Sequence, residues 1–187
     1  QSEGVSQSGE VFIYSLNIDI NQYLKQFVED KIAIWQQKGE FEKTADYQIR
    51  VNNQTRQIKA DEIALSALNN LKQKYIKSLN WELCTLQKYD ADNETFLISH
   101  PEIGEFTIPV DLNSAPSFKK HFSKLLYSDI DFVFSNNKFN LTKLKVTDTI
   151  NNQSFYYSNR QNVTYVAQRI DYNFTEINVN LSPDNQA

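Results

Sequence analysis

Few residues of this chain belong to the types that carry nucleophilic catalysis. The sequence holds one cysteine, Cys84, and two histidines, His100 and His121. A Cys–His pair can generate a thiolate nucleophile, but Cys84 lies within a strand-like segment without a helix start beside it to activate the thiol. A Ser-His-Asp triad assembles only in space, and no Gly-x-Ser-x-Gly elbow indicates one. We therefore predict no catalytic residue and interpret both histidines as surface residues.

Three carboxylates in one short segment, Asp90, Asp92 and Glu94, offer the kind of oxygen ligands that Ca²⁺ binds. The segment lacks the glycine and the final glutamate of an EF-hand loop, and aspartate and asparagine are also favoured in turns. We predict a hairpin turn here and no metal or other cofactor, with these three residues as the metal candidate. Two histidines are also too few for an ordinary zinc site.

Aromatic residues concentrate late in the chain and provide the candidates for ligand binding. Tyr156, Tyr165 and Tyr172 are the three that we select. They are expected either to line a pocket between a sheet and helices or to form part of a partner-binding surface. The alternative is ordinary packing, because aromatic residues are favoured in any strand.

Composition and charge exclude several classes of protein. The formal net charge is −4 and the pI about 5.2, so no basic excess indicates nucleic-acid binding. The four glycines are isolated, whereas the loops of P-loop NTPases and Rossmann enzymes need clustered glycines. No apolar run approaches the roughly 20 residues of a membrane-spanning helix. Residues 1–16 are predicted to be a flexible tether that precedes a single α+β domain, 17–187.

The periodicity of apolar residues predicts helices first and strands afterwards. Apolar spacing indicates a helix from Ile18 or Asp19 to Lys38, with Gly39 as its left-handed C-terminal residue. A second helix is expected from Glu42 to Leu79, and its polar middle either stands in solvent or breaks near Asn52.

From residue 81 onward the period becomes two. Strands are expected over 81–89, 94–99 and 105–110, the last of them ending or lying at an edge because Pro109 lacks an amide donor. A short helix capped by Ser114 follows. Later strands turn at Asn136 and continue through 141–146 with a bulge, and final strands are expected over 170–181. The predicted fold is α+β: two N-terminal helices on an antiparallel meandering sheet of five to seven strands, with one inserted short helix.

Residues 35–51 contain the pattern Trp-x-x-Lys-Gly-Glu-Phe-Glu-Lys-Thr-x-Asp-Tyr-x-x-Arg-Val. This segment, together with the hairpin of residues 89–96, resembles an uncharacterised family of exported Bacteroidetes proteins. The resemblance covers about residues 18 to 145 and implies a cell-envelope location and an accessory role, and it transfers no site residues. Physically, we expect Phe41 and Tyr47 to pack against Trp35 in a corner between two helices.

These observations favour a non-enzymatic, exported interaction or accessory module, located in the periplasm or outer cell envelope after removal of a signal peptide. A lipid tether upstream would fit the same location. Two alternatives stay open. One is a carrier of a small apolar ligand, and the other is a carboxylate-dependent hydrolase, for which Asp129 and Asp131 share one face of a strand. The partner is expected to be a protein or a small apolar ligand, without nucleic acid.

Overall fold

The computed structural model describes residues 19–159 and 170–177. They fall into two compact units. Residues 19–70 and 170–177 form the helical unit, and residues 71–159 form the β unit. The predicted tether, 1–16, lies outside the described residues, so the boundary at residue 17 stays a prediction. The helices are α1 (Ile20–Trp35), α2 (Thr44–Arg50), α3 (Asn53–Ser78) and α4 (Ala115–His121).

Helix α1 begins at Ile20, one residue after the later of the two predicted starts. The Asp19 side chain accepts a hydrogen bond from the Gln22 amide, which satisfies one of the free donors of the first turn. Leu24, Val28 and Ile32 recur every four residues and are buried. The predicted end is wrong, because α1 stops at Trp35.

The prediction that Gly39 is the left-handed residue at the end of α1 is also wrong. Gly39 lies beyond the end of α1, and among the described residues the glycine with a positive φ is Gly104 instead.

The predicted pair of N-terminal helices is in fact three, because the long second helix breaks after Arg50. Val51 takes an extended conformation, and the Asn52 side chain then accepts hydrogen bonds from the amides of Gln54 and Thr55. An asparagine that caps the next helix in this way stops the previous one. Of the two alternatives left open for the polar middle, a helix standing in solvent or a break near Asn52, the break is the one found.

The β unit contains six antiparallel strands in two sheets, where a single sheet of five to seven was predicted. Both sheets are three-stranded meanders, and α4 connects them. The first sheet has the order β1-β2-β3 and the second β4-β5-β6. The strands are β1 (Thr85–Asp90), β2 (Thr95–His100), β3 (Gly104–Pro109), β4 (Leu126–Ser135), β5 (Lys138–Asp148) and β6 (Gln153–Ser158).

Several local predictions in this unit are confirmed. Strand β3 ends at Pro109 and pairs only with β2 among the described strands. Asn136 and Asn137 both have positive φ values, 53° and 59°, as a two-residue hairpin turn of type I′ requires. The pairing of β4 with β5 shifts register between Asp131 and Phe132, which places a bulge between Leu141 and Leu144.

Three other local predictions are wrong. Trp81–Leu83 is a turn of 3-10 helix, so the strand begins only at Thr85. Ser114 is the N-cap residue of α4, but its side chain does not make the capping hydrogen bond that the prediction implies. Residues 170–177 contain no strand, and the remaining part of that predicted segment lies outside the described residues.

Each unit has its own apolar core. In the helical unit one core cluster consists of Val28, Ile32 and Ala60, and Trp35, Tyr172 and Phe174 pack against it. In the β unit Phe118 of α4 lies between the two sheets: its ring contacts Phe96 of β2 at 5.2 Å and Phe155 of β6 at 5.0 Å. The inserted helix therefore fills the core that the two meanders share.

Candidate functional site

The three tyrosines predicted to bind a ligand lie in different surroundings. Tyr156 is on β6 with 56% of its surface exposed. Tyr172 belongs to the helical unit and stacks on Phe174. Burial, together with the carboxylates of Asp61 and Glu29, raises the pKa of Tyr172 to about 12, as expected of a packed phenol. Tyr165 lies outside the described residues, so the predicted ligand site stays a prediction.

The acidic segment forms the hairpin turn between β1 and β2. The Asp90 carboxylate accepts hydrogen bonds from the amides of Asp92 and Asn93 and from the Asn93 side chain. Hydrogen bonds to Asn93 hold the pKa of Asp90 below its ordinary value. Across the described ranges, no three His, Cys, Asp or Glu side chains come together to hold a metal ion. The Asp90 carboxylate thus serves the turn, as the turn interpretation predicts.

His100 and Cys84 are both engaged in the core. His100 is 1% exposed, its Nδ1 accepts hydrogen bonds from the amides of Glu102 and Ile103, and its Nε2 lies 3.0 Å from the Asn80 carbonyl oxygen. The prediction that His100 is a surface residue is therefore wrong. Burial raises the pKa of the Cys84 thiol, which disfavours the thiolate form.

His121 is paired with a carboxylate that sequence reasoning missed. Its Nδ1 lies 2.8 Å from Oδ2 of Asp148, whose Oδ1 accepts from the amides of Ile150 and Asn151. Burial raises the pKa of Asp148, but these hydrogen bonds outweigh it and leave the pKa below its ordinary value. The pair joins the end of α4 to the β5–β6 hairpin. This use of Asp148 by its own turn indicates a structural junction more than a catalytic dyad.

A different feature stands out in the helical unit: the turn of residues 39–42, which we call the Phe41 turn. The Glu42 amide donates to the Gly39 carbonyl, and the Gly39 amide donates to Oε2 of Glu42. Arg50 then binds both oxygens of the Glu42 carboxylate, at 2.7 and 2.8 Å. Hydrogen bonds from Arg50 and Gly39 lower the pKa of Glu42 to about 2.

Arg50 also fixes the Phe41 turn to the end of α1. Its guanidinium donates to the carbonyl oxygens of Trp35 and Gln37 and lies over the rings of Trp35 and Tyr47. The Tyr47 hydroxyl donates to the Gln36 carbonyl. These bonds satisfy carbonyls that a helix end leaves free, so the corner is closed by charge and hydrogen bonds.

Phe41 takes no part in this corner. Its side chain is 91% exposed, so the prediction that it packs against Trp35 is wrong. The guanidinium of Arg50 occupies the face of the Trp35 ring instead. Arg50 is the residue from which this arrangement could have been predicted. It follows Glu42 by eight residues, and a bidentate ion pair between the two side chains can close the turn.

None of the protein-family models, curated proteins or solved structures compared with this chain matches it. Among the helices in the described residues, none is long and apolar enough to cross a membrane.

Proposed function

We propose that this chain is a non-enzymatic interaction module that binds a protein partner through the Phe41 turn. The observation that carries the proposal is a phenylalanine ring, 91% exposed, on a turn held by the Glu42–Arg50 ion pair. An aromatic side chain on a fixed backbone is typical of the anchors that dominate protein interfaces.

The energetics favour such a role. Moving a phenylalanine side chain from water into an apolar environment is favourable by on the order of 1.5–3 kcal/mol. In the free protein, Phe41 is exposed and does not provide this stabilisation. A partner with an apolar pocket would recover it. Because the turn of residues 39–42 is already closed by hydrogen bonds, little backbone entropy is lost on binding.

The helices that flank the turn add further apolar surface. Ile34 near the end of α1 is 65% exposed and Ile49 on α2 is 74% exposed. Tyr47 lies on the buried side of α2. Ile49 is two positions later and therefore lies on the opposite side of the helix. Large exposed apolar residues in a short stretch of chain are a mark of interaction surfaces.

The direction of the carboxyl pKa shifts also supports a function other than hydrolysis. A catalytic general acid needs a raised pKa. In residues 19–159 and 170–177, the carboxyls with displaced pKa values are held below their ordinary values instead, and they are Glu42, Asp90, Asp111 and Asp148. Such carboxylates stay ionised and serve as hydrogen-bond acceptors. The periplasm or outer cell envelope stays our prediction for the location, and fractionation of producing cells tests it.

The proposal is tested by a photo-reactive amino acid placed at position 41 in producing cells. A matched control carries it at Ile58, which is 52% exposed on α3 of the same unit. A partner cross-linked from position 41 is then purified, and its affinity is measured for the Phe41→Ser and Ile58→Ser variants.

We expect Phe41→Ser to raise the Kd at least about ten-fold, which corresponds to about 1.4 kcal/mol, and Ile58→Ser to leave it within about two-fold. Equal affinities of Phe41→Ser and the unaltered protein would contradict the proposal. So would an equal loss in both variants, because the effect would then not belong to the turn.

A further inference from the structure

The β unit is strongly asymmetric in charge. Residues 82–111, which contain the first sheet, hold one lysine against seven carboxylates. Residues 112–159, which contain α4 and the second sheet, hold six lysines against three carboxylates. The excess comes from Lys119, Lys120 and Lys124 on α4 and the turn after it, whereas the second sheet, residues 126–158, holds three lysines and three aspartates. Two of those aspartates, Asp131 and Asp148, are bound by Lys72 and His121, and lysines left without a paired carboxylate attract ligands of opposite charge.

Two of these lysines lie side by side on one face of β5. Lys143 and Lys145 alternate with Leu144 and Val146, which are buried, so both lysines are on the opposite, outer face. Two residues along a strand span about 7 Å. Like charges so close repel, and the central strand of a sheet gains nothing from them.

The carboxylate that would neutralise this pair is used elsewhere. Asp131 of β4 is the Cα partner of Lys143, yet its carboxylate binds Nζ of Lys72 at 2.9 Å. Within the described residues, neither Lys143 nor Lys145 forms a salt bridge. In this part of the chain, the positive charge of the two lysines is therefore not neutralised by an ion-paired carboxylate.

An exposed aromatic ring lies beside them. Tyr156 of β6 is the Cα partner of Lys145 and is 56% exposed. Its neighbours on the same face of β6 are Ser154 and Ser158, whose small side chains leave the ring accessible. We call Lys143, Lys145 and Tyr156 the lysine face; hydroxyl groups of Ser128, Thr147 and Ser154 lie on the same outer side.

We infer that the lysine face binds an anionic polysaccharide whose sugar rings carry carboxylates. The ring of Tyr156 offers an apolar platform on which a sugar ring can stack, and hydroxyls beside it can bond to sugar hydroxyls. The ammonium groups of Lys143 and Lys145 bind the carboxylates. An acidic polypeptide would use the lysines but gains little from a flat aromatic ring flanked by serines, so the combination favours the saccharide.

The test measures binding of the full chain to polygalacturonate, with dextran as the neutral polymer and poly-glutamate as the acidic polypeptide. The variants are Lys143→Gln/Lys145→Gln and Tyr156→Ser. The matched control, Lys74→Gln/Lys77→Gln, removes the same charge from exposed positions at the end of α3. A second measurement follows lysine acetylation by mass spectrometry with and without the polymer.

We expect the protein to bind polygalacturonate. The Kd should rise at least about ten-fold in the double lysine variant, about five-fold in Tyr156→Ser and less than about two-fold in the control. Added salt should weaken binding steeply. The polymer should protect Lys143 and Lys145 from acetylation more than Lys74 and Lys77.

Four results would overturn the inference. The first is that dextran binds as tightly as polygalacturonate. The second is a Kd for polygalacturonate above about 1 mM, which is weak for any specific site. Tighter binding of poly-glutamate, with no effect of Tyr156→Ser, would assign the face to an acidic protein. Self-association that the double lysine variant abolishes would assign it to a second copy of this chain.

Discussion

The helical unit and the β unit each contain a carboxylate bound by a basic side chain from another part of the unit, Glu42 by Arg50 and Asp148 by His121, and the two contacts differ in chemistry and burial. In the helical unit Arg50 binds Glu42 at 2.7 Å, with side chains 33% and 19% exposed. In the β unit His121 binds Asp148 at 2.8 Å, with side chains 13% and 2% exposed. The first pair closes a turn at the surface, and the second closes a junction in the core.

This difference separates a pair that presents a surface from a pair that supports a core. A guanidinium keeps its charge at every pH that proteins meet, and a surface pair contributes little stability. Removing the partners of a buried carboxylate, or removing the carboxylate from its partners, lowers the free energy of unfolding strongly. The comparison predicts large stability effects at Asp148, small ones at Arg50 and almost none at Phe41.

The largest effect is expected from Asp148→Ala. The substitution leaves the His121 ring and the amides of Ile150 and Asn151 without their acceptor, and each buried donor left unsatisfied costs about 1–3 kcal/mol. Urea unfolding measures the loss. A Trp35→Phe background isolates the fluorescence of Trp81, which reports on the β unit. Asp92→Ala, at an exposed turn position, is the control, and an equal loss there would refute the assignment.

Acidification is the next test of the comparison. The pKa of Asp148 is lowered from an ordinary 3.8, so its stabilisation is complete above that value and is lost as pH falls through the lower, folded-state pKa. We expect the urea midpoint of the β unit to fall below pH about 3.8. In Asp148→Asn that fall should be shallower, and an unchanged slope would contradict the prediction.

Glu42 should give a matching dependence in the helical unit. Its pKa is lowered from 4.5 to about 2 by Arg50 and Gly39, so its stabilisation is lost between those two pH values as pH falls. Arg50→Gln is expected to remove this dependence and to lower the urea midpoint less than Asp148→Ala does. The fluorescence of Trp35 reports the change in a Trp81→Phe background. A larger loss than at Asp148 would reverse the comparison.

The smallest effect on stability is expected from Phe41→Ser. An exposed side chain without packing partners contributes within about 0.5 kcal/mol. The urea midpoint should therefore stay unchanged while partner binding is lost. A clear destabilisation would mean that the ring packs within the protein, as the sequence suggested.

Some of this architecture was readable from local patterns. The start of α1 near Asp19, the turn at Asn136 and the bulge after Leu141 depend on residues within a few positions of one another, and so does the break near Asn52, which was one of two alternatives for the polar middle. Turn chemistry and periodicity act over that range. The class, α+β, followed from the order of the helical and strand-like segments.

The rest depends on contacts that sequence patterns do not reveal. Alternation assigns residues to faces but not strands to sheets, so one sheet was expected where there are two. Asp148 lies 27 residues from His121 along the chain, and nothing local pairs them. Phe41 was expected to be buried because it is aromatic, but a guanidinium already covers the Trp35 ring.

Hydroxyl-radical footprinting of the free protein tests whether Phe41 is presented to a partner. We expect Phe41 to be oxidised much faster than Phe96, Phe106 and Phe118, which are at most 4% exposed. Protection of Phe41 to the level of those core rings would contradict this expectation, because the ring would then already be covered in the absence of a partner.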